Sequence, residues 1–206
     1  MNAVPARRRR LRPDERRALL LERALDVFAR RGLGRAGHTE IAADSGVAVS
    51  TVFFYFPSRE RLIEAVLAEV ERFYVGMAEA IHAQQKPPRD ILVEHGRAFL
   101  TSLDSHPQHA RVWLDWSTAF RDQIWPRYLA LVERLVGFYE RTIRRGQQEG
   151  SISPRLGAEE SARLLIGSAQ MLAQMRMTDF AEERLRAVAR TIVSAALGDD
   201  LRSPAG

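Results

Sequence analysis

The segment Ser50–Glu60, with the sequence STVFFYFPSRE, decides how the fold of this chain is interpreted. It places four aromatic residues side by side and then stops at Pro57. A helix with one buried face spaces its aromatic residues three or four positions apart. Four adjacent aromatic residues therefore occupy two faces of a short helix or lie in a buried strand.

The residues before this segment favour the helical interpretation. A short helix begins near His38, with Ile41 on its inner face, and Gly46 breaks it. Glycine permits a tight turn that a side chain would obstruct. A second short helix then runs from about Val49 to Phe56. Two short helices joined at such a turn, after a longer first helix, predict a helix-turn-helix.

The rest of the chain also has the pattern of helices. Apolar residues at helical spacing predict helices over 14–31, 58–83, 89–104, 107–120, 123–149, 157–176 and 180–197. No alternating run bounded by turns predicts a strand. The expected fold class is all-α. Its predicted parts are a basic arm over 1–12, a helix-turn-helix domain over 13–57 and a larger helical bundle over 58–206.

The positive charge of the chain is confined to its first part. Residues 1–60 hold 12 Arg and 7 Asp or Glu, whereas residues 61–206 hold 19 basic and 19 acidic side chains, so the net charge of +5 lies entirely within the first sixty residues. A confined basic region is typical of a nucleic-acid-binding surface. The alternative is a disordered basic tail that only aids solubility.

Helical spacing divides the aromatic run between two sides of the second short helix. Val52 points inward with Tyr55 or Phe56, and an outward Phe pair next to a basic arm requires a partner. A DNA major groove is one such partner, because Phe edges can meet thymine methyl groups. The alternative is that Phe54 packs under the first helix. The expected outward residues are Val49, Ser50, Phe53 and Phe54.

The stretch GHTEIAADSGVAVSTVFFYFPSRERLIEAVL, residues 37–67, resembles the helix-turn-helix of the TetR family of bacterial transcriptional regulators. Residues 27–42, 51–62 and 112–132 are also similar to the LuxR/HapR-type quorum-sensing master regulators of that family. The resemblance extends from about Arg8 to about Ala173. It implies a cytoplasmic homodimer that binds a double-stranded DNA operator and, in its helical bundle, an apolar small molecule.

The resemblance also implies which residues contact DNA. Arg8 and Arg10 match an arm that reaches the minor groove, and Arg59 matches a phosphate-contacting residue. Ala48, Val49 and Phe54 replace residues that are commonly polar in the family, which predicts a degenerate operator read more through the arm and DNA shape. The expected contacts are Arg8, Arg10, His38, Thr39, Val49, Ser50, Thr51, Phe53, Phe54, Tyr55 and Arg59.

Large aromatic residues and apolar helices carry the expectations for the bundle. The predicted pocket residues are Phe73, Tyr74, Phe99, Val112, Trp113, Trp116, Leu135, Tyr139, Ile166 and Gln170, with ordinary core packing as the alternative. Gln170 and Gln174 either orient a ligand or hydrogen-bond across a dimer interface. The predicted dimerisation residues are Leu164, Met171, Met175, Leu185, Val188 and Ile192.

Several classes of function find no support in the sequence. The chain contains no cysteine, which excludes disulfides and thiol chemistry. It has no nucleophile elbow, phosphate loop or HExxH motif, and Asp104, His106 and His109 are interpreted as surface residues. We expect no enzymatic activity, metal, cofactor, membrane span or signal peptide. A non-specific architectural DNA-binding protein is the alternative function, with strongly salt-dependent affinity.

Overall fold

The computed structural model describes residues 11–119, 123–178 and 180–198, and within these ranges it contains helices and no strand, as predicted. The chain divides into two compact units, one ending at Leu67 and the other beginning at Ala68. The division falls inside a helix, later than the predicted boundary at residue 57. The helices are α1 (Pro13–Arg31), α2 (His38–Ser45), α3 (Val49–Tyr55), α4 (Arg59–His82), α5 (Pro88–Ser105), α6 (Pro107–Ser117), α7 (Trp125–Gln148), α8 (Ala158–Arg176) and α9 (Glu182–Ala196).

The first unit has a small apolar core to which each of its helices contributes. Leu20 and Phe28 of α1, Ile41 of α2 and Val52 of α3 are almost completely buried. The turn between α2 and α3 depends on Gly46, whose φ of 63° lies in the left-handed region that glycine adopts at little cost. This turn sets α3 against the other two helices and leaves its remaining face outward.

The second unit is a larger bundle of α5 to α9 with the later part of α4. One buried cluster joins α5, α7 and α8 with the end of α9, through Leu92, Val136, Tyr139, Ile143, Ala162 and Leu197. Burial of these apolar side chains is the main contribution to its stability. Among the described helices, none is both long enough and apolar enough to cross a membrane.

Candidate functional site

The outward face of α3 is the first candidate site. Val52 and Phe56 are buried, whereas Phe53 is 46% exposed and Phe54 is 77% exposed, so the aromatic run divides between two faces as the spacing predicts. Phe54 therefore does not pack under α1. Val49 and Ser50 are also exposed and lie one turn before the two phenylalanines. The result is an apolar face with one hydroxyl, on a helix only seven residues long.

The start of α3 lacks a side-chain cap. Ala48 is the N-cap residue, and no side chain hydrogen-bonds the first turn from that position. The first N–H groups of a helix have no partner within the helix. In α3 the N–H of Thr51 already donates to the carbonyl oxygen of Ala48 at 2.9 Å, so the N–H groups of Val49 and Ser50 are the ones that an outside acceptor, such as a phosphate oxygen, could reach.

His38 has a structural role. Its ring is buried, its Nε2–H donates to the carbonyl oxygen of Phe56 at 2.7 Å, and it stacks on Phe53 with ring centroids 3.8 Å apart. The imidazole therefore ties the start of α2 to the end of α3. Nε2 is thus engaged within the protein, and the DNA contact expected for His38 stays a prediction.

Arg59 is also held by the protein. Its Nη2 donates to the carbonyl oxygen of Leu33 at 2.5 Å and its Nε donates to that of Ala36 at 3.3 Å. Two of the five N–H groups of this guanidinium thus complete the loop between α1 and α2. The phosphate contact expected for the other N–H groups of Arg59 stays a prediction.

Replacing Arg59 with glutamine should lower the free energy of unfolding by about 2 kcal/mol, because buried carbonyl groups lose charged hydrogen-bond donors. Chemical denaturation measures the change. Arg61→Gln is the matched control, because Arg61 forms only an exposed ion pair with Glu64 and should change stability by less than about 1 kcal/mol. Unchanged stability together with weaker DNA binding would support the phosphate contact instead.

The other expected DNA contacts are distributed around this face. Thr39 is exposed at the start of α2, while Thr51 and Tyr55 are half-buried. The Tyr55 ring meets the edge of Phe54, with centroids 5.1 Å apart. Arg8 and Arg10 lie outside the described residues.

A cavity of about 70 Å³ in the second unit is the second candidate site. Its walls are mainly apolar and aromatic, as in most small-molecule sites. Six of the ten predicted pocket residues line it: Tyr74, Phe99, Trp113, Leu135, Tyr139 and Ile166. The other lining residues come from α5, α8 and α9: Leu92, His95, Gly96, Leu165, Ala169, Leu172, Ala189, Ile192 and Val193.

Four predicted pocket residues lie elsewhere. Phe73 packs against His109, with ring centroids 4.3 Å apart, and Val112 is buried away from the cavity. Trp116 is fully buried and donates its indole N–H to the carbonyl oxygen of Ile124 at 3.0 Å. Gln170 donates to the hydroxyl of Tyr128 at 2.7 Å. The sequence shows that these residues are buried or packed but not against which neighbours.

His95 is the histidine of the cavity wall, and the sequence analysis did not predict it there. Its Nδ1 lies 2.9 Å from Nε2 of His82, and Nδ1 of His82 lies 2.7 Å from the hydroxyl of Thr142. His95 follows Leu92 by three positions and precedes Phe99 by four, so it shares their inner helix face. That spacing was the available signal for burial. The pairing with His82 and Thr142 joins three different helices and has no local signature.

Burial keeps both histidines of this pair neutral near neutral pH. Loss of hydration lowers the pKa of His95 to about 3, with a smaller contribution from His82. The same cause lowers the pKa of His82 to about 4, with a smaller contribution from the charge of Arg141. Desolvation disfavours the charged imidazolium, so each ring carries a single N–H.

The relatives of this chain agree with its architecture. The family model described as bacterial regulatory proteins, tetR family, matches residues 20–66. The HTH-type transcriptional regulator LuxR of Vibrio harveyi is 39% identical over 135 residues, which cover 63% of each protein. The chain is therefore similar to regulators of the TetR family over its helix-turn-helix and part of its bundle. The match spans less than two thirds of LuxR's own length.

Solved structures of TetR-like proteins share the fold at low sequence identity. A TetR-like regulator from Rhodococcus sp. RHA1 has a TM-score of 0.75 at 20% identity, covering 91% of this chain and 96% of that one. FadR from Bacillus subtilis, solved in complex with stearoyl-CoA, has a TM-score of 0.72 at 17% identity, covering 89% and 98%. The relatives named here are transcriptional regulators, in agreement with the prediction that this chain is not an enzyme.

The predicted dimerisation residues fall into two groups. Leu164 and Met171 of α8 are each more than 40% exposed, while Met175 and Val188 are half-buried. Leu185 is 3% exposed and Ile192 lines the cavity. Leu185 is thus buried within the protomer, whereas Ile192 is half-buried at the cavity, and the part of both in dimerisation stays a prediction. The spacing identifies an apolar helix face but not which neighbour covers it.

The histidines near the start of α6 also differ from expectation. His106 is exposed, but His109 is buried against Phe73, with a ring nitrogen 3.7 Å from Glu69. Across the residues that the structure describes, no group of three or more His, Asp or Glu side chains could hold a metal ion.

Proposed function

We propose that this protein is a sequence-specific, DNA-binding transcriptional regulator that inserts α3 into the major groove. The observation that carries the proposal is the outward face of α3, where Phe54 is 77% exposed and Phe53 is 46% exposed while Val52 anchors the helix in the core. Exposed aromatic residues of this kind usually have a partner. The family and the LuxR likeness make duplex DNA the partner of choice.

The chemistry of this face fits base recognition with few hydrogen bonds. Phe53 and Phe54 can meet thymine methyl groups, and Ser50 can hydrogen-bond a base or a phosphate. The excess positive charge of the first sixty residues supplies attraction to the backbone, which holds the protein on DNA without reading sequence. We therefore propose a degenerate operator in which shape and the basic arm provide part of the specificity.

We further propose a homodimer on a pseudo-palindromic operator. Leu164 and Met171 are seven positions apart on α8 and expose an apolar stripe that a second copy can cover. A two-fold interface brings the same stripe from both protomers together. Two copies of α3 separated by one DNA turn, about 34 Å, would then contact two half-sites.

The cavity is proposed as the site for an apolar small molecule that modulates DNA binding. FadR of B. subtilis was solved with stearoyl-CoA, which shows that one protein of this fold accepts an apolar chain. A cavity of about 70 Å³ is smaller than the 150 Å³ or so that accommodates benzene, so a ligand must widen it. Gly96, Ala189 and Val193 also line a groove of about 940 Å³ along α5 and α9, which provides space for widening.

A ligand response would pass through α4. Tyr74 of this helix lies in the cavity wall, and its buried residues Leu62 and Val66 belong to the first unit. The helix is therefore part of both units. A ligand that shifts α4 would bias the DNA-binding state by the difference in its affinity for the two conformations. Trp113→Ala should weaken any ligand response, and an unchanged response would argue against this route.

The proposal is tested by selecting bound sequences from random duplex DNA. The affinity of the protein for the most enriched duplex is then measured at several salt concentrations. The expected result is an enriched pseudo-palindrome bound by two protomers, with A·T-rich flanks. The Phe54→Asn variant should select a different or narrower half-site, because an amide replaces an apolar edge. Steep salt dependence without enrichment would favour an architectural DNA-binding protein, and unchanged half-site preferences in Phe54→Asn would refute the role of Phe54.

A further inference from the structure

The buried histidine pair gives the cavity a defined hydrogen-bonding character. The hydroxyl of Thr142 lies 3.2 Å from the carbonyl oxygen of Phe138, to which it donates its single hydrogen. The same oxygen must then accept the contact from His82, so Nδ1 of His82 carries the proton. Each bond in the series fixes the direction of the next.

The series continues to the cavity wall. Since Nδ1 of His82 is protonated and the ring is neutral, Nε2 of His82 is an acceptor. Nδ1–H of His95 therefore donates to it across 2.9 Å. His95 is left with an unprotonated Nε2, which has no hydrogen-bond partner among the described residues. His95 lines the cavity, so its Nε2 provides the cavity with a hydrogen-bond acceptor.

The opposite arrangement is less favourable. If Thr142 donated to His82, the hydroxyl would no longer bond the carbonyl oxygen of Phe138, and the series would have two hydrogen bonds in place of three. His95 would then carry an N–H with no acceptor. The arrangement with three hydrogen bonds, which leaves an acceptor at His95, is therefore the more stable one.

Two further polar groups belong to the same walls. The hydroxyl of Tyr74 and the indole N–H of Trp113 are buried with no hydrogen-bond partner in the described part of the chain. Both side chains line the cavity that His95 lines. An acceptor and two donors around one apolar space are complementary to a hydroxyl group, which can donate one hydrogen bond and accept others.

We propose that the cavity binds an apolar molecule bearing one hydroxyl or N–H group, which donates a hydrogen bond to Nε2 of His95. The inference rests on the proposed ligand-binding role of the cavity and specifies the class of its ligand. Apolar surface supplies most of the affinity, and the histidine discriminates between ligands of equal size. A site built to bond a hydroxyl rejects a ligand that lacks it, because a buried polar group is then left unpaired.

Phenol and toluene are suitable probes, because a hydroxyl and a methyl group are similar in size. In a purely apolar cavity toluene binds more tightly, because phenol loses hydrogen bonds to water. We expect the wild-type protein to bind phenol about 5-fold more tightly than toluene in calorimetric titration, the equivalent of one net hydrogen bond. Toluene binding more tightly would overturn the inference while leaving the ligand-binding role intact. Binding of neither probe would overturn both.

The Thr142→Val variant tests the origin of the preference. Valine cannot accept from His82, so His82 should move its proton to Nε2 and turn His95 into an N–H donor. The preference for phenol should then fall or reverse. Thr142→Ser retains the hydroxyl and should keep the preference. Ser102→Ala is the matched control, because it removes a buried hydroxyl that donates to Phe99 outside this series.

Nitrogen NMR of the imidazole rings decides the protonation independently of any ligand. We expect His95 to be protonated on Nδ1 in the wild-type protein and in Thr142→Ser, and on Nε2 in Thr142→Val. Protonation of wild-type His95 on Nε2 would overturn the inference whatever the probes do.

Discussion

Replacing Phe54 with aspartate should lower affinity for the selected operator on the order of 100-fold at moderate salt. The substitution places a negative charge on the outward face of α3, where the proposal puts a major groove flanked by phosphates. It also removes the most exposed aromatic edge of that face. Fluorescence anisotropy with a labelled operator duplex measures the change.

The fold should tolerate this substitution. Phe54 is 77% exposed, so its replacement should change the free energy of unfolding by no more than about 0.5 kcal/mol. Val93→Asp is the matched control, because Val93 is a 45% exposed apolar residue on α5, outside the helix-turn-helix. It adds the same charge and should leave affinity nearly unchanged. Equal losses in both variants would point to a general charge effect and argue against α3 as the reading helix.

Lowering the pH from 7 to 5 should reduce the free energy of unfolding through the buried histidine pair. Folding lowers the pKa of His82 to about 4 and that of His95 to about 3, from 6.5. Between pH 6.5 and 4 the unfolded chain therefore binds protons that the folded chain does not, so stability is present above pH 6.5 and is lost as the pH falls. We expect a loss of about 2 kcal/mol from His95 and about 1 kcal/mol from the half-buried His82, where solvent weakens the effect.

Denaturant titrations at several pH values measure this contribution. The double variant His82→Gln/His95→Gln cannot titrate at these positions. Its free energy of unfolding should therefore fall less between pH 6.5 and 5 than that of the wild-type protein, by the contribution of the two histidines. Above pH 7 the two proteins should depend on pH alike, whatever their difference in absolute stability. If the free energy of unfolding fell equally with pH in both proteins over the acidic range, burial would not be holding the imidazoles neutral.

Much of the fold follows from short-range patterns in the sequence. Apolar spacing, with Gly46 and Pro57 as breaks, predicts each described helix to within a few residues. The division of the aromatic run also follows from helical spacing, because Val52 and Phe56 are four positions apart and share a face. The same spacing predicts the exposure of Phe53 and Phe54.

The roles of individual side chains were less predictable. The family resemblance placed His38 and Arg59 at the DNA, but backbone carbonyl groups that the tertiary structure brings near them take up their hydrogen bonds. Those carbonyl groups lie 18 to 26 residues away in sequence. Periodicity reports which face of a helix is buried and contains no information on partners at such separations.

The sequence by itself therefore determined an all-α chain with a helix-turn-helix, its outward aromatic face and the confinement of positive charge to the first sixty residues. These properties depend on backbone preferences and on the order of neighbouring residues. Tertiary structure alone decided which aromatic residues enclose the cavity and which apolar α9 residues turn inward. It also decided that His82, His95 and Thr142 form one hydrogen-bonded series, because packing brings together groups up to 60 residues apart and sets their hydration and protonation.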